Sequence, residues 1–178
     1  MKTRPYGFTL AELLFCLAGL GVLGAVAIPG LQAGRYAAES AEAKSALLET
    51  LMKSSHTAAL HGAHAALCPS FNGEQCSAGF DWSRGWIAFI DRNGSREREL
   101  DEPLILAKPA LDGARLLSSS GRTRIMFQGN GGNAGSNVTF TLCDGRGAGK
   151  AQTLVVSNVG NLRQGVASPE QIAAACTF

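Results

Sequence analysis

The sequence is poor in the residues from which most catalytic centres are built. It contains three histidines in 178 residues, all between His56 and His64. It has no Gly-x-Ser-x-Gly motif, the turn that carries the nucleophile of many serine hydrolases. The stretch 145–150, Gly-Arg-Gly-Ala-Gly-Lys, is similar to part of a phosphate-binding loop. Such a loop needs a glycine where this chain has Asp144 and a Ser or Thr where it has Ala151. A hairpin turn is the prediction there.

Metal-binding patterns are equally sparse. His61, His64 and Cys68 have a spacing that could face a metal from one side of a helix, but a polar helix end is the favoured interpretation. The acidic residues of 97–102 alternate with arginines, which is typical of a solvated loop, although their oxygens could bind Ca²⁺: Glu97, Glu99, Asp101 and Glu102. The sequence therefore predicts no metal centre, no cofactor and no small-molecule substrate.

The amino-terminal segment lacks the small-residue cleavage site of a secretory signal. Lys2 and Arg4 precede Gly7 without any acid, and the nearest approach to a cleavage site, residues 24–27, lies inside the apolar run. Residues 8–31 are apolar except for Glu12, and as a helix they would extend roughly 36 Å. This length crosses a bilayer, and the positive leader favours a cytoplasmic amino terminus.

Glu12 requires a partner, since a carboxylate inside a bilayer costs about 2.5 to 3.5 kcal/mol at the midplane. The stretch Gly7-Phe8-Thr9-Leu10-x-Glu12-Leu13-Leu14 resembles the prepilin signature of the type IV pilin family. The resemblance implies cleavage by prepilin peptidase after Gly7, N-methylation of Phe8, and Glu12 as the carboxylate that neutralises a neighbouring subunit's amino terminus. The alternative is an ordinary signal anchor with one stray acid.

Residues 32–178 are long enough to form one exported globular domain with its own core. Lys2 and Arg4 account for the formal charge of +2, so the rest of the chain is neutral. Residues 113–165 contain six basic residues and one acid, Asp144, which predicts a basic surface on that half; the basic residues are Arg115, Arg122, Arg124, Arg146, Lys150 and Arg163.

The cysteines outside the apolar run indicate disulfides in an exported domain. Four residues allow three pairings, and a four-thiolate zinc site is a weaker alternative because neither local pair has metal-type spacing. Cys68 and Cys76 bracket a turn-forming loop, so local pairing of these two and pairing of Cys143 with Cys176 are favoured.

Beyond the apolar run the pattern predicts an amphipathic helix over residues 35–60, followed by short strands. The proposed apolar stripe consists of Ala37, Ala41, Leu48, Leu51, Met52 and Ala59. The predicted strands lie near 86–90, 104–106, 115–117, 123–127, 138–142 and 153–156, with turn signals between them. The fold class predicted is α+β, a long amino-terminal helix packed on antiparallel sheet.

A second resemblance concerns the strand region. The stretch 85–94, Gly-Trp-Ile-Ala-Phe-Ile-Asp-Arg-Asn-Gly, and the later Thr141-Leu142-Cys143-Asp144 and Val155-Val156-Ser157 are similar to the GspH/FimT group of minor pilins and pseudopilins. The resemblance implies a non-enzymatic, low-copy component that primes or caps a pilus or pseudopilus. Its expected partners are major and minor pilins, prepilin peptidase and the assembly platform of the inner membrane.

DNA binding is a further possibility that the resemblance raises. Some FimT-like proteins serve natural transformation through a carboxy-terminal Gly-Arg-x-Arg stretch, of which this chain keeps Gly160 and Arg163 but has Asn161 at the first arginine. Arg122, Arg124, Arg146 and Lys150 could compensate by holding phosphates, giving weak binding without sequence preference.

These observations predict a leader over residues 1–7, a membrane and assembly helix over 8–31, and a periplasmic domain over 32–178. The predicted function is that of a minor type IV pilin in the inner membrane. The first alternative is a type II secretion pseudopilin, which shares every motif above. A membrane-anchored periplasmic enzyme is the third class, and it would require a pocket with a perturbed titratable group.

Overall fold

The computed structural model describes residues 7–133, 135, 137–158 and 161–177. The chain divides into two compact units, Met1–Arg35 and Tyr36–Phe178. A helix, α1 (Leu10–His61), begins in the first unit, continues past Pro29 and ends in the second. Its amino-terminal part is long and apolar enough to cross a membrane.

Short strands follow α1 within the second unit. In chain order they are β1 (His64–Pro69), β2 (Trp86–Asp91), β3 (Leu104–Lys108), β4 (Ala114–Ser118), β5 (Ile125–Phe127), β6 (Val138–Asp144), β7 (Gln152–Val156) and β8 (Leu162–Val166). A short helix, α2 (Pro169–Ala175), comes last. In the described part of the chain the strands form two antiparallel sheets, ordered β3-β2-β1-β5 and β4-β6-β7-β8. The predicted α+β class is confirmed.

The six predicted strands are all present, as β2 to β7, and the stretch 145–150 connects β6 to β7 as a hairpin. The sequence interpretation missed β1, β8 and α2. The favoured interpretation of the histidines as a polar helix end agrees with His61, the last residue of α1, whereas His64 begins β1. The proposed helical spacing of His61, His64 and Cys68 therefore does not exist.

One apolar core lies between the carboxy-terminal half of α1 and the inner faces of both sheets. Trp82 and Trp86 are fully buried in it, and Trp82 meets Phe140 edge-on with ring centroids 5.2 Å apart. Both indole N–H groups are satisfied: Trp86 Nε1 donates to Thr50 Oγ1 at 2.9 Å and Trp82 Nε1 to Ser118 Oγ at 3.1 Å. Polar groups on the helix and on β4 thus fix the orientation of the two largest core side chains.

The buried face of α1 differs from the predicted stripe. Its members are Ser40, Ala43, Leu47, Thr50, Leu51, Ser54 and Ala58. Only Leu51 belongs to both sets, while Met52 is 64% exposed. The hydroxyls of Thr50 and Ser54 donate to the carbonyls of Ala46 and Thr50, one turn earlier, so these polar residues can be buried.

Disulfide-linked segments cover the outer faces of the sheets. Cys68 and Cys76 are bonded and pack with Ile87 and Phe89 on the outer face of the first sheet. On the second sheet, α2 packs through Ala175, next to the bond between Cys143 and Cys176. The favoured pairing is the one that the structure contains.

Candidate functional site

The amino-terminal segment presents the predicted assembly residues at the first turn of α1. Phe8 is 83% exposed, and Glu12 lies in the first turn of the helix. Thr9 and Glu12 form a reciprocal pair, in which the amide of Glu12 donates to Thr9 Oγ1 at 3.3 Å and the amide of Thr9 to Glu12 Oε2 at 3.5 Å. This arrangement is a capping box, and it gives Thr9 a role that the sequence interpretation missed.

Gly7 is free of steric demands from its own chain. A Cβ built on it meets nothing within 4 Å among the described residues. The described fold therefore gives no internal reason for a glycine at this position.

The helix that follows exposes nearly every large apolar side chain. Leu17, Leu23 and Val26 are 59%, 68% and 76% exposed. The same holds for the other large apolar residues of this stretch, which are Leu10, Leu13, Leu14, Phe15, Leu20, Val22, Ile28 and Leu31. So large an apolar surface requires lipid or other protein chains to cover it.

Arg124, one of the predicted DNA contacts, faces other parts of the protein. Its guanidinium forms an ion pair with Glu97 at 2.5 Å, and only 13% of the side chain is exposed. It also donates to the carbonyls of Arg96 at 3.1 Å and Ser77 at 3.3 Å. These bonds would have to break before Arg124 could hold a phosphate.

Arg146 also forms an ion pair within the protein, with the carboxylate of Asp144 at 2.6 Å. Burial raises the pKa of Asp144, but the hydrogen bonds from the Arg146 side chain and amide, its positive charge and a hydrogen bond from Ser40 together lower the pKa below its usual value. The hydrogen bond that Arg146 donates to Asp144 in turn raises the pKa of the Arg146 guanidinium. The pair lies within the turn that follows β6, and the hydrogen bond from Ser40 joins the buried Asp144 carboxylate to α1.

The remaining predicted cations are exposed: Arg122, Lys150 and Arg163. Arg122 lies in the loop after β4, and Lys150 ends the short 3₁₀ turn between β6 and β7. Arg163 lies on β8, opposite Val155 of β7. Gly160 of the family stretch lies outside the described residues. Of the six cations in the predicted basic half, three are exposed on separate segments, Arg124 and Arg146 form ion pairs within the chain, and Arg115 donates to Thr177.

One cleft of about 610 Å³ contains a perturbed titratable group, the feature required of the enzyme alternative. It lies between α1 and the segment after β3, and its lining includes Glu39, Glu42, Glu49, Trp86, Lys108 and Asp112. Hydrogen bonds from Lys108 and Lys53 lower the pKa of Glu49 to about 2. A carboxylate with so low a pKa is a weak base at neutral pH, the opposite of what general acid–base catalysis needs.

Metal ligation by the cysteines is excluded where they are bonded to each other. Cys68 and Cys143 are half-cystines, and Cys16, in the apolar stretch, is the free cysteine. In the ranges that the structure describes, no three His, Cys, Asp or Glu side chains are grouped so as to hold a metal ion by themselves.

Comparison with known proteins gives a consistent result. The family model described as type II transport protein GspH matches residues 44–160. The type IV minor pilin FimU of Pseudomonas aeruginosa is similar over 82% of this chain and 98% of its own, with a TM-score of 0.52 and 15% identity. The minor pseudopilin EpsH from the type 2 secretion system of Vibrio cholerae is similar over 72% and 97%, with a TM-score of 0.50 and 11% identity.

At these identities the two structures establish a common fold and nothing finer. No protein with a curated description matches the sequence significantly.

Proposed function

The chain belongs to the GspH family of minor pilins and pseudopilins, and on that premise we propose that it is a minor pilin that takes part in priming and assembling a type IV pilus. It is anchored in the inner membrane by residues 8–31, with the domain from residue 32 onward in the periplasm. Prepilin peptidase removes residues 1–7 and methylates Phe8. Other pilins and the assembly platform are its partners.

The observation that carries the proposal is the exposed apolar half of α1 preceded by Gly7 and Glu12. The apolar side chains have no cover within the described chain. Gly7 has no internal reason to be glycine, whereas a peptidase that must approach the backbone closely would demand one. Glu12 sits at the start of the helix, where a neighbouring subunit's new amino terminus could pair with it.

The test separates the charge of Glu12 from its capping role. Glu12→Gln removes the charge, while glutamine can still complete the capping box. Thr9→Val removes the cap and keeps the charge. We expect both proteins to lose the leader normally, and we expect Glu12→Gln to fall at least about tenfold in sheared pilus fractions, as measured by immunoblot. Normal incorporation of Glu12→Gln, or an equal loss in Thr9→Val, would contradict an assembly carboxylate.

A pseudopilin of type II secretion is the second candidate, favoured by the description of the matching family. The two functions share the anchor, the processing and the fold. Deletion of the gene separates them: loss of surface pili with normal secretion supports the pilus, and loss of secreted enzymes with normal pili supports the secretion system.

DNA binding is proposed only as a weak added property, carried by Arg122, Lys150 and Arg163, which are exposed. In gel shifts of the full chain in detergent, duplex DNA should bind at micromolar strength or weaker, with an affinity that falls steeply with salt. Arg163→Ala or Lys150→Ala should reduce the slope of log affinity against log salt by about one each. Lys44→Ala, which removes a cation from α1, is the control. Equal losses from Lys44 and Arg163 variants, or no retardation at low salt, would reject DNA binding.

A further inference from the structure

The strands at the edges of the two sheets are β3, β5, β4 and β8, and the first three edges are protected. The register between β2 and β3 shifts, so the β3 edge is irregular. β5 has only three residues and is bridged at its end to Asn133. The segment 80–83 covers β4, where the Trp82 amide donates to the Leu116 carbonyl at 2.8 Å. Irregular, short or covered edges resist the addition of further strands.

The remaining edge strand, β8, has none of these protections among the described residues. Its five residues pair with β7 without a shift in register, and no described strand pairs with its other side. Four of the five residues are exposed, and Val166 is 90% exposed. A regular, exposed edge of this kind is a template to which another extended segment can add as a strand.

The hydrogen bonds of the hairpin show which main-chain groups of β8 face the open edge. The Ser157 amide donates to the Asn161 carbonyl at 2.9 Å, in the register that continues along β7 and β8. Hydrogen-bonded and non-hydrogen-bonded pairs alternate in an antiparallel ladder, so every second residue after Asn161 directs its main-chain groups towards β7. The residues whose main-chain groups face outward are Leu162, Gln164 and Val166.

The side chains of the same three residues lie on the face of the sheet that carries the core. Their partners on β7 include Leu154 and Val156, which are fully buried in that core. Leu162 packs partly against the core, whereas Val166 is left uncovered at the other end of β8. An added strand would therefore need apolar side chains on this face, next to Leu162 and Val166.

A second copy of β8 meets these requirements. Antiparallel pairing centred on Gln164 places Leu162 of each copy opposite Val166 of the other, so apolar side chains meet at both ends. Arg163 then stands opposite Gly165, and the two arginines are diagonal to each other, which avoids directly opposed like charges. About six main-chain hydrogen bonds form, because the outward-facing residues become hydrogen-bonded pairs. The edge is thus self-complementary, as a two-fold interface requires.

We propose that β8 is a docking site for a second copy of this chain, with the two β8 strands paired antiparallel about Gln164. The pairing joins the second sheets of the two copies into one continuous sheet. The contact has five residues per chain, fewer than the roughly 20 to 30 residues per partner of a standard interface. Association is therefore weak in dilute solution and favoured where both chains share one membrane or micelle. The proposal is independent of whether the protein serves a pilus or a secretion system.

The test cross-links the full chain in detergent through a thiol at the proposed centre of the pair. Gln164→Cys is made together with Cys16→Ser, so that the other cysteines are all in disulfides, and a short bis-maleimide joins two such chains. We expect a covalent dimer. Met52→Cys, at a 64% exposed residue of α1, is the control and should give little dimer at the same ratio of protein to detergent. Thermal unfolding checks that each variant is folded.

A matched pair of further substitutions, made with Gln164→Cys, tests the apolar contacts. Val166→Lys and Met52→Lys each replace an exposed apolar side chain by a cation. Val166→Lys should lower the initial rate of cross-linking by about fivefold or more, because symmetry removes two contacts, while Met52→Lys should leave the rate unchanged.

Val166→Pro tests the main-chain pairing, because it removes one outward-facing amide from each copy and should lower the rate of cross-linking by about fivefold or more. Three results would overturn the proposal: no more dimer from Gln164→Cys than from Met52→Cys, equal losses in the two lysine variants, or an undiminished rate in Val166→Pro. In cells, a cross-link from position 164 to a different protein in place of the second copy would overturn it as well.

Discussion

Leu17 and Leu47 are both on α1, yet their surroundings are opposite. Leu17, in the first unit, is 59% exposed, whereas Leu47, in the second, is fully buried against both sheets. The second unit covers its own apolar residues and is stabilised by that packing. The first unit leaves them uncovered, so its apolar surface belongs to contacts outside the chain. Substitutions in the first unit should therefore affect processing and assembly, and those in the second should affect folding.

The largest expected effect is on processing, at the border of the leader. Gly7→Leu should abolish leader removal, because a side chain would stand where the peptidase must approach the backbone. The unfolding temperature of the domain should not change. Immunoblots of the two forms, together with thermal unfolding, measure both quantities. Normal cleavage of Gly7→Leu would contradict the predicted processing site.

The next effect compares the two leucines directly. Leu47→Ala should destabilise the second unit by about 2 to 5 kcal/mol, because it leaves a cavity between helix and sheets. Leu17→Ala should leave the free energy of unfolding unchanged in detergent and should reduce membrane or fibre association instead. Denaturant unfolding in detergent checks both. Similar losses of stability in the two variants would show that the units do not differ as described.

A smaller effect concerns pH and is confined to the second unit. The pKa of Asp144 is lower in the folded chain than in the unfolded chain. The ionised carboxylate therefore stabilises the fold above a pH of about 4, and this stabilisation is lost as the pH falls through the folded pKa. Asp144→Asn should be less stable than the parent at pH 7, and the difference should shrink below pH 4. Thermal unfolding between pH 7 and pH 2.5 measures it. A difference that grows on acidification would contradict this sign.

The sequence predicted most strands of the second unit because their β-branched and aromatic runs are separated by Gly, Asn and Asp turns. It missed β1 because His64-Ala65-Ala66-Leu67 is rich in alanine and reads as the end of a helix. It also missed β8, an edge strand whose residues are mostly exposed and carry no clear alternation. Short elements at the periphery give the weakest local signal.

The error on the helix face has a different cause. Ser40, Thr50 and Ser54 were counted as polar, yet all three are buried. The structure uses them for hydrogen bonds to Asp144, to Trp86 and within the helix. Partners far apart in sequence decide such burial, and a periodicity of apolar residues does not contain them.

The candidate site was predictable where it is local and unpredictable where it is tertiary. The motif from Gly7 to Glu12 is contiguous, so it could be recognised at once, and its processing and assembly roles stay predictions. The pairing of Arg124 with Glu97 joins residues 27 positions apart. Six basic residues in one half therefore predicted a larger free basic surface than the fold leaves.

The two tryptophans have a consequence for spectroscopy. They are the only ones in the sequence, and both are fully buried beside hydroxyl groups of the core. Their fluorescence should be blue-shifted in the folded chain and should report the integrity of the second unit alone. The apolar segment has no tryptophan, so its transfer between detergent, lipid and fibre should be silent in the emission spectrum. Tryptophan emission can thus follow unfolding of the second unit without interference from changes in the surroundings of the apolar segment.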